Sequence, residues 1–175
     1  MVVRCTARLL RLIGAPAKTL SSEAGSEEDW YANLVWLDGR KCLIAAHAGT
    51  LFPIFAPDVR TRDLNPLGGF LIARIRTALN EEGFADDALG PLDASGVELA
   101  RTVSRSTLGF LNEIAFVCRQ AVELAGRLEL VDIDHLNHFL RRELHNRGGH
   151  YRRPIDLLFD RWTLQPSRQR SEPTS

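Results

Sequence analysis

Arg105, set between Ser104 and Ser106 and followed by Thr107, is the group of residues best equipped for chemistry in this chain. A strand-like run, Val97 to Val103, leads into it, and a long apolar helix pattern from Ser106 to Ala125 comes after it. If the strand ends at Ser104 or Arg105 and Ser106 caps the helix, the first-turn N–H groups lack internal partners and carry partial positive charge. Arg105 would add a full charge and a planar fork of donors, a combination that suits phosphate or carboxylate. The same residues read equally as a plain helix start beside a solvated arginine. Asn112 lies further along this apolar helix, off its first turn, and needs a polar partner if it is buried. Gly109 would let the helix pack closely on a sheet under either reading.

Three other groups bear on chemistry. His135, His138 and His145 share a helical face with Arg142 among them. Metal sites use histidines one turn apart, but this face lies opposite the Ile133, Leu136, Leu140, Leu144 stripe and has a cation in its middle, so no metal is expected. Arg141, Arg142, Arg147, Arg152, Arg153, Arg161, Arg168 and Arg170 outnumber the nearby acids Glu143, Asp156 and Asp160. Such a surface can hold a nucleic-acid backbone or simply be charged and solvated. His47, close to Thr50, falls at a turn and could serve acid–base work only if it shared a cleft with Arg105 and Asn112. There is no Walker loop, no G-x-S-x-G, no H-E-x-x-H and no dinucleotide fingerprint, so no cofactor is implied.

The elements that must position these residues can be read from pattern. The 175 residues are 45% apolar and 25% charged with a formal net charge of zero, ordinary for one globular domain and silent about charged partners. Cys5, Cys42 and Cys118 form no pair motif and sit among apolar neighbours, which predicts buried free thiols in a reducing, cytoplasmic setting. No run approaches the length of a membrane span.

Val2 to Cys5 reads as a strand, with a short helix after Thr6. Trp30 to Leu37 is apolar at nearly every position, which predicts a strand covered on both faces. Asp38-Gly39 turns it into Lys41–Ala46, and Leu51–Ala56 completes a meander, with Pro53 marking an edge. Helices are expected from Asn65-Pro66 to Glu82, over Ser106–Ala125 as a central core helix, from an Asp132 cap through Leu144, and from Pro154 to about Trp162. The fold expected is a single α+β domain over 1–162: a mainly antiparallel sheet, three-stranded meander plus one or two further strands, against about five helices. Residues 163–175 read as a polar, disordered tail.

Four blocks together resemble an uncharacterised bacterial family known only as a domain of unknown function. They are Arg4 to Leu10, Asp29 to Leu37 with Arg40 to Leu43, Arg105 to Glu113, and Tyr151 to Ile155. The resemblance implies a small bacterial cytosolic protein and one domain. It departs mildly from the family pattern, which has lysine near Ala7–Arg8 and aspartate at Glu113, and it transfers no activity, cofactor or catalytic residue.

These residues lead to the expectation of a non-enzymatic binding module recognising an anionic group or a partner protein around Arg105, Ser106, Asn112 and His47. The alternatives are a small enzyme acting on a phosphorylated or nucleotide substrate, and nucleic-acid binding by the C-terminal arginines.

Overall fold

The computed structural model describes residues 1–147 and 149–164. Five strands form one mixed sheet. They are β1 (Val2–Cys5), β2 (Trp30–Leu37), β3 (Arg40–His47), β4 (Pro53–Ala56) and β5 (Glu98–Arg101), in the spatial order β4-β3-β2-β1-β5. The meander is antiparallel as expected, with Leu34 opposite Leu43 and Ala45 opposite Ile54. Asp38 and Gly39 both have positive φ, the two-residue hairpin turn that matches strand twist.

The expectation of a mainly antiparallel sheet is corrected on the other side of β2. There β1 runs parallel to both β2 and β5. The reason is connectivity. A helix, α1 (Ala7–Leu12), and a loop link β1 to β2, and such a crossover returns the chain in the same direction.

Helices cover both faces, which explains the unbroken apolarity of β2. Trp30, Ala32 and Leu34 point into one core with α1, α2 (Leu67–Glu81) and α5 (Pro154–Leu164), through Leu9, Leu71, Ile75 and Leu158. Tyr31, Val35 and Leu37 point into the other, against α3 (Arg105–Ala125) and α4 (Ile133–Leu140), through Phe110, Ile114, Cys118 and Leu136. Asn137 on α4 closes the β4 edge: its amide donates to the Phe55 carbonyl at 3.0 Å, and its Oδ1 accepts from the Phe55 N–H at 2.9 Å.

Several boundaries differ from the sequence reading. α3 lies on one face of the sheet rather than at the centre of the core, so Leu124 is exposed. Asn65 does not cap α2, which starts at Leu67 with no side-chain cap. Asp132 does cap α4 by accepting from the His135 N–H, but the helix stops at Leu140. Beyond it the chain forms a small hairpin, β6 (His145–Arg147) and β7 (His150–Arg152). α5 carries Thr163 and Leu164, the first two residues of the expected tail; the rest of it lies outside the described residues.

Candidate binding cleft

Where β5 hands over to α3, a cleft of about 880 Å³ opens at the edge of the sheet. Its long wall is the first part of α3, which contributes Ser106, Gly109, Phe110 and Glu113. Gly25, Ser26 and Glu27 form the facing wall, with Tyr31, Ala48, Leu51 and Asn146 between. The volume is within the range of small-molecule sites.

A buried ion pair holds the facing wall in place. Arg4, in mid-sheet on β1, is 1% exposed. Its Nε donates to the Asp29 carboxylate, one Nη to the Glu23 and Ala24 carbonyls at 2.8 Å each, and the other to the Arg101 carbonyl at 3.3 Å. The same Asp29 oxygen accepts from the Ser26 N–H at 2.9 Å. The acceptors around the guanidinium are thus loop or strand-end groups, and the arginine shapes the loop that flanks the cleft.

The α3 start has a defined proton order. The cap is Ser104, not Ser106: its Oγ accepts from the Thr107 N–H at 3.2 Å and from the Thr107 hydroxyl at 3.0 Å. A hydroxyl has one donor and two acceptor sites, so the Ser104 proton goes to Ser106 Oγ, 3.0 Å away. The Ser106 proton is left to face outward. Beside it, Tyr31 is 1% exposed and burial pushes its pKa up, against the N–H groups of Ser104 and Val103, which draw on its oxygen. The Tyr31 proton has no acceptor among the described residues. Nor do the N–H groups of Arg105 and Ser106, which precede the first intrahelical bond, from Leu108 to Ser104. This end of the cleft therefore presents donors.

Gly109 sits midway along the wall, and a Cβ added there would meet nothing within 4 Å. It does not serve close packing on the sheet, as its sequence position suggested; it faces the cleft. At the far end Glu113, its side chain 62% exposed, accepts from the Nδ1 of His145 at 3.1 Å. The His145 ring is 4% exposed and stands edge-on to Phe110, with ring centroids 4.6 Å apart.

Of the four residues singled out from sequence, the structure brings only Ser106 into the cleft lining. Arg105 and Asn112 are exposed and do not line it. His47 is buried behind the Ala48 wall: its Nδ1 accepts from the Thr50 N–H at 3.2 Å, and its ring meets Trp30 edge-on at 5.5 Å. The shared cleft that acid–base work by His47 required is not formed.

The histidine face is also revised, because His145 belongs to β6 and is buried, while His138 lies 3.5 Å from Glu82. Among the described residues, no group of three or more His, Cys, Asp or Glu could hold a metal ion. Four of the C-terminal arginines are committed within the molecule. Arg141 and Arg142 bind Glu82, Arg152 binds Asp160, and Arg161 binds Glu28. All three cysteines are free and buried, and burial pushes the Cys5 thiol up to about 12.

Tyr31, residues 25–27 and Asn146 carry no mark of a site in the sequence, and Glu113 stands out only as a charged residue of an apolar helix that needs a polar partner if buried. Tyr31 reads as one more apolar position of a buried strand, and the loop acquires its place only through Arg4. Gly109 was the available signal, an interior helix glycine four residues from Glu113 and three from Ser106.

Together these features define an α+β domain with a mixed five-stranded sheet, helices on both faces, and a cleft beside the longest helix. The chain belongs to the family described as a domain of unknown function, DUF6933, whose pattern matches residues 2–157. A comparison with curated proteins gives no match. No helix among the described residues is long and apolar enough to cross a membrane.

Proposed function

We propose that this protein is a binding module, not an enzyme, and that its ligand lies along α3 with an anionic or acceptor-rich group at the helix start. Gly109 carries the reading. Glycine inside a helix costs roughly 0.5–1 kcal/mol relative to alanine, and here no neighbour requires the missing Cβ. A ligand passing over that position would.

The donors at the α3 start support the kind of group it brings. The Ser106 hydroxyl and N–H and the Tyr31 hydroxyl lie there, with Arg105 close by in sequence as a screened charge. The hydroxyls of Ser104, Ser106 and Thr107 bond to one another and, among the described residues, none bonds to a histidine, which speaks against an activated nucleophile. Nucleic-acid binding has less support, because so many of the C-terminal arginines are paired internally. Three buried thiols without a disulfide favour a reducing compartment, the bacterial cytoplasm.

The test is a pair of substitutions read by thermal unfolding with and without phosphate, nucleotides and short nucleic acids. Gly109→Ala is expected to stabilise the free protein by about 0.4–1 kcal/mol, a rise of a few degrees in Tm. Gly109→Trp is expected to fold and to lose the ligand-dependent rise that the parent shows. A rise of equal size in the parent and in Gly109→Trp would place the ligand elsewhere.

A further inference from the structure

We infer that the ligand is a zwitterion, with a protonated amine at Glu113 opposite the acidic group at the α3 start; this rests on the proposed binding role of the cleft. The two ends of the wall carry opposite chemistry. Ser106 and Tyr31 offer protons, whereas Glu113 offers a carboxylate.

The carboxylate is held in a particular way. Glu113 is largely exposed, yet one of its oxygens is fixed by the Nδ1 of a histidine that is 4% exposed and wedged against Phe110. With Nδ1 committed, the buried Nε2 of His145 has no hydrogen-bond partner among the described residues. An exposed glutamate gains little stability from such a clasp, because water competes for it. What the clasp does achieve is a carboxylate held in place in the cleft wall, so less side-chain freedom is lost when a donor binds. His145 is therefore a positioning residue, acting through Glu113.

Spacing sets the size of the ligand. Ser106 and Glu113 are seven positions apart on α3, which at the rise of an α-helix is about 10 Å. Gly109 leaves the middle of that path open, and Phe110 lines it. An extended tripeptide spans about 10 Å between its charged ends, so triglycine is a suitable probe.

The full chain is titrated with triglycine, N-acetyl-triglycine, which lacks the ammonium, and triglycinamide, which lacks the carboxylate, following backbone amide NMR shifts. Triglycine is expected to bind about tenfold or more tighter than either capped form, the weight of one charged hydrogen bond. Glu113→Gln is expected to bring triglycine and N-acetyl-triglycine within about twofold of each other while leaving the triglycinamide deficit in place. His145→Asn, which keeps a donor near the Nδ1 position, should retain the preference for the free amine, and His145→Leu should lose it.

N-acetyl-triglycine binding the parent as tightly as triglycine would overturn the amine subsite while leaving the cleft as a binding site. Absence of saturable triglycine binding would overturn the zwitterion outright. The Gly109 substitutions, read with other ligands, then show separately whether the cleft binds at all.

Discussion

Replacing Arg4 by methionine is expected to destabilise the protein by about 3–5 kcal/mol, the usual cost of removing one partner from a buried ion pair. The guanidinium is almost fully enclosed, and its loss strands the Asp29 carboxylate, which is 3% exposed. The carbonyls of Glu23 and Ala24 lose their donor as well. Converting both members, Arg4→Met with Asp29→Leu, should recover a good part of the loss, because no uncompensated charge remains buried.

Urea unfolding of the single and double variants measures this. A single-variant loss below about 1 kcal/mol would mean that the pair is solvated, contrary to its burial. A second readout concerns the cleft. Hydrogen exchange at Ser26, whose N–H bonds to Asp29, should accelerate in the single variant more than exchange in β3 does.

Glu82→Gln is expected to cost about 3 kcal/mol. The Glu82 side chain is 2% exposed and accepts from Arg141 at 3.0 Å and from Arg142 at 2.6 Å. Arg141 is itself buried over the Phe52 ring, 5.2 Å from its centre, and would keep only Glu81 as a charged partner among the described residues. Burial alone would raise the Glu82 pKa, but the two arginines outweigh it and hold the carboxyl below its usual value. The folded form therefore binds this proton less readily than the unfolded chain. The stabilisation is complete above the unfolded glutamate pKa near 4.3 and is lost as pH falls through the lower folded value. Unfolding free energy measured from pH 6 down to pH 3 should fall more steeply in the parent than in Glu82→Gln. Parallel curves would show that Glu82 does not carry the acid dependence.

Local signals in the sequence are reliable where a short-range mechanism sets the structure. The Asp38-Gly39 turn, the apolar β2 and the Asp132 cap each depend on neighbours within a few residues, and each forms as read. Pattern misleads where distant partners decide. The parallel placement of β1 depends on β5, nearly a hundred residues away in sequence, and on the crossover through α1. Arg141 and Arg142 read as a basic surface because their acid, Glu82, lies at the end of α2, about sixty residues earlier in the chain. His145 reads as helical because the Ile133 to Leu144 stripe hides the stop at Leu140.

The candidate site is half legible for the same reason. The α3 start is visible as a junction, and the structure keeps it as the donor end of the cleft. Ser104 takes the capping role instead of Ser106, since it is the Ser104 oxygen that reaches the Thr107 N–H. Arg105 draws attention by its charge, but on the helix it projects to solvent while Ser106 and Gly109 meet the cleft. Tyr31 and the Gly25–Glu27 loop cannot be found from pattern, because the link that sets them there is the buried Arg4.

The most direct test of the cleft as a binding site is an amide NMR shift map of the full chain with the tightest-binding compound from the ligand and tripeptide titrations. Shifts are expected to concentrate at Gly25–Glu27, at Tyr31, along Ser104–Glu113 and at Asn146. Shifts confined to Arg141, Arg142, Arg152 and Arg161, or to the separate groove lined by residues 13–16, 19 and 64–68, would contradict it.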